Sequence, residues 1–127
     1  MMRLLMDTHV FLWWLADDPS LGEQARTVIA AGHNLVYVSA ATSWEISIKR
    51  SIGKLEAPPD IDNIVEEERF LKLPITLLHG QHAGQLPHLH RDPFDRMLVA
   101  QARVEGLTLV TNDPNIKRYD VALLWAG

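Results

Sequence analysis

The chain has 127 residues, 47% of them apolar, which is enough to bury one hydrophobic core in a single domain over residues 1–127. It contains no cysteine, so disulfides and thiolate metal sites are excluded, and oxygen and imidazole groups remain as ligands or catalysts. The net charge of −4 argues only weakly against nucleic acid as a partner, because clustered carboxylates that hold divalent cations attract phosphate once loaded.

The N-terminal segment does not have the features of a targeting sequence. Its short apolar run is interrupted at Asp7, and it lacks the longer apolar region and small-residue cleavage site of a secretory signal. No stretch approaches the roughly 20 apolar residues of a membrane span. We therefore expect a cytoplasmic protein with no membrane partner.

Short apolar runs alternate with longer amphipathic segments along the chain. The runs predict strands at Arg3–Met6, Leu35–Ser39, Ile75–Leu78, Leu107–Thr111 and Val121–Trp125. The amphipathic segments predict helices at Val10–Ala16, Gly22–Ala31, Ala41–Ile52, Ile61–Lys72, Gln81–Gln85 and Pro93–Glu105. Because a parallel neighbouring strand needs a crossover helix, this alternation predicts an α/β fold with a mostly parallel five-stranded sheet and helices on both faces.

Acidic residues lie near the carboxyl ends of several predicted strands. Asp7 follows the first strand, Glu45 lies in the helix after the second, and Asp113 follows the fourth. Asp92 and Asp95 open the helix that precedes the fourth strand. Ligands of α/β sheets bind beyond the carboxyl ends of the strands, so we expect these acids to converge there. Hard divalent cations such as Mg²⁺ or Mn²⁺ prefer such oxygen ligands.

Each acid also has an ordinary structural explanation. Asp7 and Asp113 could cap a helix and a turn, and Asp92 is a natural N-cap with proline at the first helical position. Asp95 would favour the dipole of the same helix. Glu45 could pair with the lysine four residues later, a surface contact worth only about 0.3–0.5 kcal/mol.

The common location of the acids favours a metal site over separate structural roles. Capping does not require acidic residues to gather at one edge of a sheet. Glu45 also lies next to the apolar stripe Trp44, Ile48 and Ile52, where an uncharged side chain would suit a buried helix better.

Four segments together carry a family resemblance. They are Met6–His9 (MDTH), Ser43–Lys49 (SWEISIK), His90–Ala102 (HRDPFDRMLVAQA) and Val110–Asp113 (VTND). Their order and spacing, from the first strand to the last, resemble PIN-domain ribonucleases and, within that family, the VapC-type toxins of bacterial toxin–antitoxin pairs. The DPFDR-x-L-x-A-Q-A segment is the most specific of them. The resemblance implies a PIN-like three-layer fold, a homodimer, and inhibition by a cognate antitoxin.

The resemblance also implies roles for individual residues. Asp7, Glu45, Asp95 and Asp113 correspond to the metal-binding acids of the family, and Asp92 to a structural cap. The implied activity is an endoribonuclease that cleaves RNA with a water activated by Mg²⁺ or Mn²⁺, so that no side chain acts as nucleophile.

Polar and basic residues near the acids are candidates for contacts with metal, water or RNA phosphates. Threonines flank two of the acids, and basic residues lie close to two others. The candidates are Thr8, Lys49, Arg50, Arg91, Arg96 and Thr111. Ordinary solvated charge explains any single one of the basic residues equally well.

The His88-Leu89-His90 segment lies between Pro87 and Pro93 in a predicted loop. Two histidines at this spacing suggest a metal pair, but a solvated or helix-capping role is the better interpretation. We therefore predict no zinc site.

The segment from Phe11 to Leu15 (FLWWL) is too densely apolar for one buried helix stripe. Core packing explains part of it. A surface that binds a second copy or another protein would explain the rest.

Two other functional classes remain open at this point. An aspartate-dependent phosphatase or phosphoacceptor domain would also place an aspartate after the first strand, but the phosphatase needs an acid at His9 and the phosphoacceptor a lysine after a late strand. A PIN-like module that binds RNA or protein without cleavage is the non-enzymatic alternative, and the presence of all four acids argues against it.

Overall fold

A computed structural model describes all residues from 1 to 127. The strands are β1 (Arg3–Met6), β2 (Leu35–Ser39), β3 (Leu71–Leu73), β4 (Thr108–Thr111) and β5 (Leu123–Trp125). The α-helices are α1 (Thr8–Ala16), α2 (Glu23–Ala30), α3 (Ala40–Ser51), α4 (Ile61–Glu67), α5 (Leu77–Gln85) and α6 (Pro93–Glu105), and a 3-10 helix spans Ile116–Arg118. None of the helices is both long and apolar enough to cross a membrane.

The five strands form one sheet in the order β3-β2-β1-β4-β5, and every neighbouring pair is parallel. This confirms the predicted α/β class. Strands β2 and β3 lie on one side of β1, and strands β4 and β5 lie on its other side. The reversal lies between β1 and β4, which is where open α/β sheets bind ligands beyond the strand ends.

The alternation of side chains along β1 divides the core into two layers. Leu4 and Met6 pack with residues of α1, α2 and α4 on one face of the sheet. Leu5 points to the opposite face and packs with residues of α6, among them Leu98. Both faces of the parallel sheet are therefore covered by helices, as burial of its backbone requires.

Helix α3 joins these two layers at the carboxyl edge of the sheet. Its Ile46 packs into the first core cluster and its Ala41 into the second. The Ser39 hydroxyl begins the helix by accepting a hydrogen bond from the amide of Ala41 at 3.0 Å. This position brings Glu45, one turn further along, to the edge where β1 and β4 end.

The prediction that a helix continues to Lys72 is wrong. Helix α4 ends at Glu67, and Arg69 adopts a left-handed backbone conformation with φ of 62°. The amide of Phe70 then closes the turn onto the carbonyl of Val65. The residues after this turn form β3 at Leu71–Leu73, which pairs with Tyr37–Ser39 of β2.

The predicted strand at Ile75–Leu78 is also wrong, because a helix begins within it. Thr76 forms a capping box with His79, so α5 starts at Leu77, four residues before the predicted Gln81. The apolar side chains that suggested a strand are exposed to solvent, with Leu77 95% exposed. The sheet still has five strands because β3 takes the third position.

The dense apolar run of α1 serves partly as core, as expected. Phe11 is fully buried, and the indole of Trp14 lies 5.9 Å from the ring of Phe70. Leu12, Trp13 and Leu15 are half-buried and line a groove that also includes Leu55 and Pro58.

Candidate metal centre

Asp7 combines a cap with a place in the acid cluster. Its Oδ1 accepts a hydrogen bond from the amide of Val10 at 2.8 Å, which caps α1. Its Oδ2 accepts from the hydroxyl of Thr111 at 2.5 Å, across the gap between β1 and β4. Burial raises the pKa of Asp7, and the nearby Asp113 carboxylate acts in the same direction. Both oxygens are thus oriented before any cation binds.

Glu45 is buried on the inner face of α3. Its Oε1 accepts from the hydroxyl of Thr8 at 2.7 Å, and its Oε2 pairs with the ammonium of Lys49 at 2.5 Å. Trp44 on the same helix is 61% exposed, and Ile48 and Ile52 are exposed with it. The apolar stripe therefore faces solvent. The inference that this stripe marks a buried face of the helix is wrong, although Glu45 itself is buried. The ion pair offsets the cost of placing this carboxylate away from water.

Asp92 and Asp95 open α6 with different roles. Asp92 is the N-cap, and its Oδ1 accepts from the amides of Phe94 at 2.8 Å and Asp95 at 3.2 Å. Asp95 lies in the first turn and points into the acid cluster. Burial, followed by repulsion from the carboxylates of Asp92 and Asp7, raises the pKa of Asp95 to about 7.

Asp113 lies two residues beyond β4 and reaches the cluster through a histidine. Its Oδ1 accepts from the amide of Asn115 at 2.8 Å, and its Oδ2 lies 3.0 Å from Nε2 of His90. The same Nε2 lies 2.9 Å from Oδ2 of Asp95. His90 is therefore part of the cluster, a position that the expectation of a solvated or helix-capping role missed. The only sequence signal for it was its place in the His90–Ala102 segment, five residues before Asp95.

The structure places all four predicted acids at the same edge of the sheet, and the ligand atoms of Asp95, Asp113 and His90 lie within 4.8 Å of one another. Asp7 and Asp113 end neighbouring strands, and the carboxylates of Asp7 and Glu45 both act on the pKa of Asp95. The cluster lies at the carboxyl edge of the sheet where the strand order reverses. Such a concentration of buried acid has no use in core packing.

A comparison with known families identifies the chain. The profile of the PIN domain family matches residues 4–122. The chain belongs to the PIN-domain family. No curated protein sequence matches it.

Solved structures confirm the fold of this PIN domain. It is similar to a chain of VapBC2 from Rickettsia felis bound to a promoter DNA fragment, with a TM-score of 0.73, 17% identity, and coverage of 97% of this chain and 98% of the other. It also resembles DNA-bound VapBC from Salmonella typhimurium (TM-score 0.64, 17% identity, coverage 98% and 98%). For FitAcB from Neisseria gonorrhoeae the TM-score is 0.61 and the identity 21%, with coverage of 94% and 95%.

The threonines and Lys49 contact the acids of the PIN domain directly. Thr8 donates to Glu45 and Thr111 to Asp7, so each threonine hydroxyl orients a carboxylate. Thr111 also accepts from the amide of Asp113 at 3.0 Å, which links two of the acids. The hydrogen bond from Lys49 to Glu45 raises the pKa of the lysine, so the lysine stays charged beside the cluster.

The three arginines that the sequence singled out have different surroundings. Arg50 donates to the carbonyl of Ala57 at 2.6 Å. The guanidinium of Arg96 donates to the carbonyls of Ala83, Leu86 and Pro87, and so holds the loop before α6. Arg91 is exposed and borders a cavity of about 310 Å³ with His90 and Asn115.

The donor set of the PIN domain fits a hard divalent cation. Asp7, Glu45, Asp95 and Asp113 offer only carboxylate oxygens, the ligands that Mg²⁺ and Mn²⁺ prefer. Burial raises the pKa of Asp7 and of Asp95, and repulsion from neighbouring carboxylates acts in the same direction. A bound cation would compensate that negative charge.

The raised pKa of Asp95 predicts how the metal-free protein responds to pH. In the folded protein Asp95 keeps its proton up to about pH 7, whereas the unfolded chain loses it near the ordinary value of 3.8. Stability therefore falls as pH rises between these values. We expect Asp95→Asn in EDTA to be more stable than the wild type at pH 8, on the order of 2 kcal/mol, and equal to it near pH 4.

Urea unfolding followed by tryptophan fluorescence at several pH values measures this difference. Asp7 acts in the same direction, so the variant should keep a weaker pH dependence of its own. The matched control is Asp120→Asn, which removes an exposed carboxylate and should follow the wild-type profile. Coincident profiles for the wild type and Asp95→Asn would show that Asp95 is not held in the cluster.

Proposed function

We propose that this PIN domain is a metal-dependent endoribonuclease and the toxin of a toxin–antitoxin pair. The convergence of Asp7, Glu45, Asp95 and Asp113 at one edge of the sheet carries the proposal. Membership of the PIN family supports nuclease chemistry, and the similar solved structures include toxin–antitoxin complexes. A toxin that acts on cellular RNA would work in the cytoplasm, as the sequence predicts.

The residues of the site divide into those that bind the cation and those that orient them. Asp7, Glu45 and Asp95 would bind it directly or through water, and Asp113 would complete the site. Thr8 and Thr111 fix the rotamers of two of these carboxylates. A bound Mg²⁺ or Mn²⁺ would activate water and neutralise charge on the phosphate.

The surroundings of the cluster suit a phosphodiester chain. Lys49 keeps a positive charge beside Glu45, and Arg91 borders a polar cavity next to His90. We keep these two as RNA-phosphate contacts. Arg96 is less suitable, because both of its terminal nitrogens already donate to backbone carbonyls. Arg50 donates only through Nε and stays a third candidate.

The alternatives have less support. An aspartate-dependent phosphatase or phosphoacceptor domain would use Asp7 as the attacking group, and the other residues that such a site needs are not in place. His9 is exposed where the phosphatase needs a second acid, and no lysine directly follows β4 or β5. A binding module without catalysis would gain nothing from the destabilising burial of Asp7 and Asp95.

An antitoxin is the partner that the proposal requires, and α1 offers a place for it. Leu12, Trp13 and Leu15 line an apolar groove of about 380 Å³, closed on the other side by Leu55 and Pro58. An amphipathic segment of a partner protein fits such a groove.

The proposed homodimer would use a different surface. Trp44 and Ile48 on α3 and Ile52 at its C-cap follow each other at intervals of four residues, and all three are exposed. Trp44 also packs edge to face on Phe94 at 5.2 Å, which extends the stripe onto α6. We assign this stripe, rather than the α1 run, to the contact with a second copy.

Our first test of the activity compares two aspartates that both cap helices. The wild type should cleave single-stranded RNA with Mg²⁺ or Mn²⁺ and stop in EDTA. Asp7→Asn should lower the rate by more than about 100-fold, because even groups that only orient metal ligands are worth 10–100-fold in affinity or activity. Asp92→Asn should stay within a few-fold, because asparagine caps a helix about as well as aspartate.

Thermal unfolding separates loss of function from loss of fold. Metal-free Asp7→Asn should be at least as stable as the wild type, because the change removes a buried charge, while its stabilisation by Mn²⁺ shrinks. Cleavage by Asp7→Asn at the wild-type rate, or full wild-type activity in EDTA, would contradict the proposed mechanism.

The homodimer is tested by light scattering of two variants of α3. Ile48→Glu places a charge in the stripe and should convert the dimer to a monomer at micromolar concentration. Ser47→Glu adds the same charge on the same turn, at an exposed position outside the stripe, and should remain dimeric. A wild type that is monomeric at tens of micromolar, an order-of-magnitude range for ordinary interfaces, would refute the dimer.

A further inference from the structure

His90 occupies a place that the four acids do not explain. It lies in the loop between α5 and α6, and its side chain is only 14% exposed. Its Nε2 is within hydrogen-bond distance of both Asp95 and Asp113, at 2.9 and 3.0 Å. One imidazole nitrogen thus bridges carboxylates from two separate elements, the first turn of α6 and the segment after β4.

The opposite nitrogen of the ring determines which role this bridge can have. The backbone amide of Asp92 points at Nδ1 from 3.4 Å, and an amide can only donate. In this contact Nδ1 is the acceptor, which places the proton of a neutral ring on Nε2. A histidine that ligates a metal shows the reverse pattern, because its second nitrogen donates to a carbonyl or carboxylate. The contacts of His90 are those of a donor.

The loop that carries His90 is fixed by two side chains near the C-terminus of the chain, those of Arg118 and Tyr119. The hydroxyl of Tyr119 accepts from the amides of Leu89 and His90 at 3.2 and 3.1 Å and donates to the carbonyl of Pro87 at 2.8 Å. Arg118 donates to the carbonyl of Leu89 at 2.8 Å. A solvated histidine would not need its backbone held at so many points, whereas a side chain that must aim one N–H at two acceptors would.

We propose that His90 is a positioning residue whose Nε2–H holds the carboxylates of Asp95 and Asp113 in the arrangement that binds the divalent cation. The inference rests on the proposed function, because it concerns the same site. Oδ1 of Asp113 is already held by the amide of Asn115, so His90 fixes the second oxygen and with it the direction of the group. Two carboxylates that repel each other would otherwise separate.

Metal affinity of three variants tests this role. His90→Leu removes the donor, and the dissociation constants of Mg²⁺ and Co²⁺, measured by calorimetry, should both rise by about 10- to 100-fold. His90→Gln places an amide N–H near the position of Nε2 and should restore affinity to within a few-fold of the wild type. His88→Leu is the matched control at an exposed histidine two residues earlier, and should bind as the wild type does.

The tautomer of His90 provides a readout in the wild type that does not depend on activity. Long-range proton–nitrogen NMR spectra of the ¹⁵N-labelled wild type, assigned by the signal missing in His90→Gln, should show the proton on Nε2 in EDTA and also with Mg²⁺. An Nε2 that is unprotonated with Mg²⁺, together with a larger loss for Co²⁺ than for Mg²⁺ in His90→Leu, would make His90 a ligand and overturn the proposal.

Two further outcomes would also overturn it. These are unchanged dissociation constants in a folded His90→Leu protein, and a His90→Gln variant that binds as weakly as His90→Leu. A wild type that binds neither cation would instead refute the metal-dependent function, and the spectrum in EDTA would still decide whether His90 is the donor. Failure of the inference and failure of the proposed function are thus distinguishable.

Discussion

The burial of several carboxylates at one point of the fold is the constraint on which the site depends. Burial of Asp7 and Glu45 and partial burial of Asp95 cost free energy, and the repulsion that Asp95 feels from the other two adds to that cost. Helix N-termini provide part of the compensation, since Asp7 caps α1 and Asp95 lies in the first turn of α6. The proposed divalent cation would supply the remainder.

The sheet topology makes this concentration possible. β1 and β4 are neighbours although about a hundred residues separate them, so Asp7 and Asp113 meet at their carboxyl ends. Helix α3 crosses the same edge and adds Glu45 from a third direction. Hydroxyls and one imidazole then fix the rotamers, with Thr8, Thr111 and His90 each donating to an acid. The rigidity of the site therefore comes from side chains that a list of acids alone would omit.

The sequence predicted the parallel sheet from local patterns, and the predicted strand ends placed five acids near one edge of it. The family resemblance then separated the four proposed ligands from Asp92. It failed where tertiary context overrode the local signal. Arg69 ends α4 early, and Thr76 begins a helix inside an apolar run that resembled a strand. The exposure of the α3 stripe depends on how that helix lies over the sheet edge. The position of His90 depends on a loop that is held by Tyr119, a residue far from it in the sequence. Neither of these two tertiary relations produces a periodic pattern in the sequence from which it could be predicted.

The most direct test of the central claim is to locate the cation. Crystals of the wild type grown with Mn²⁺ should show an anomalous difference peak, or a close pair, bounded by the carboxylates of Asp7, Glu45 and Asp95. Asp7→Asn crystals grown in the same way should lose that density while the fold stays unchanged. An ordered acid cluster without a peak in the wild type, with manganese bound only at surface histidines such as His33 or His88, would contradict the account.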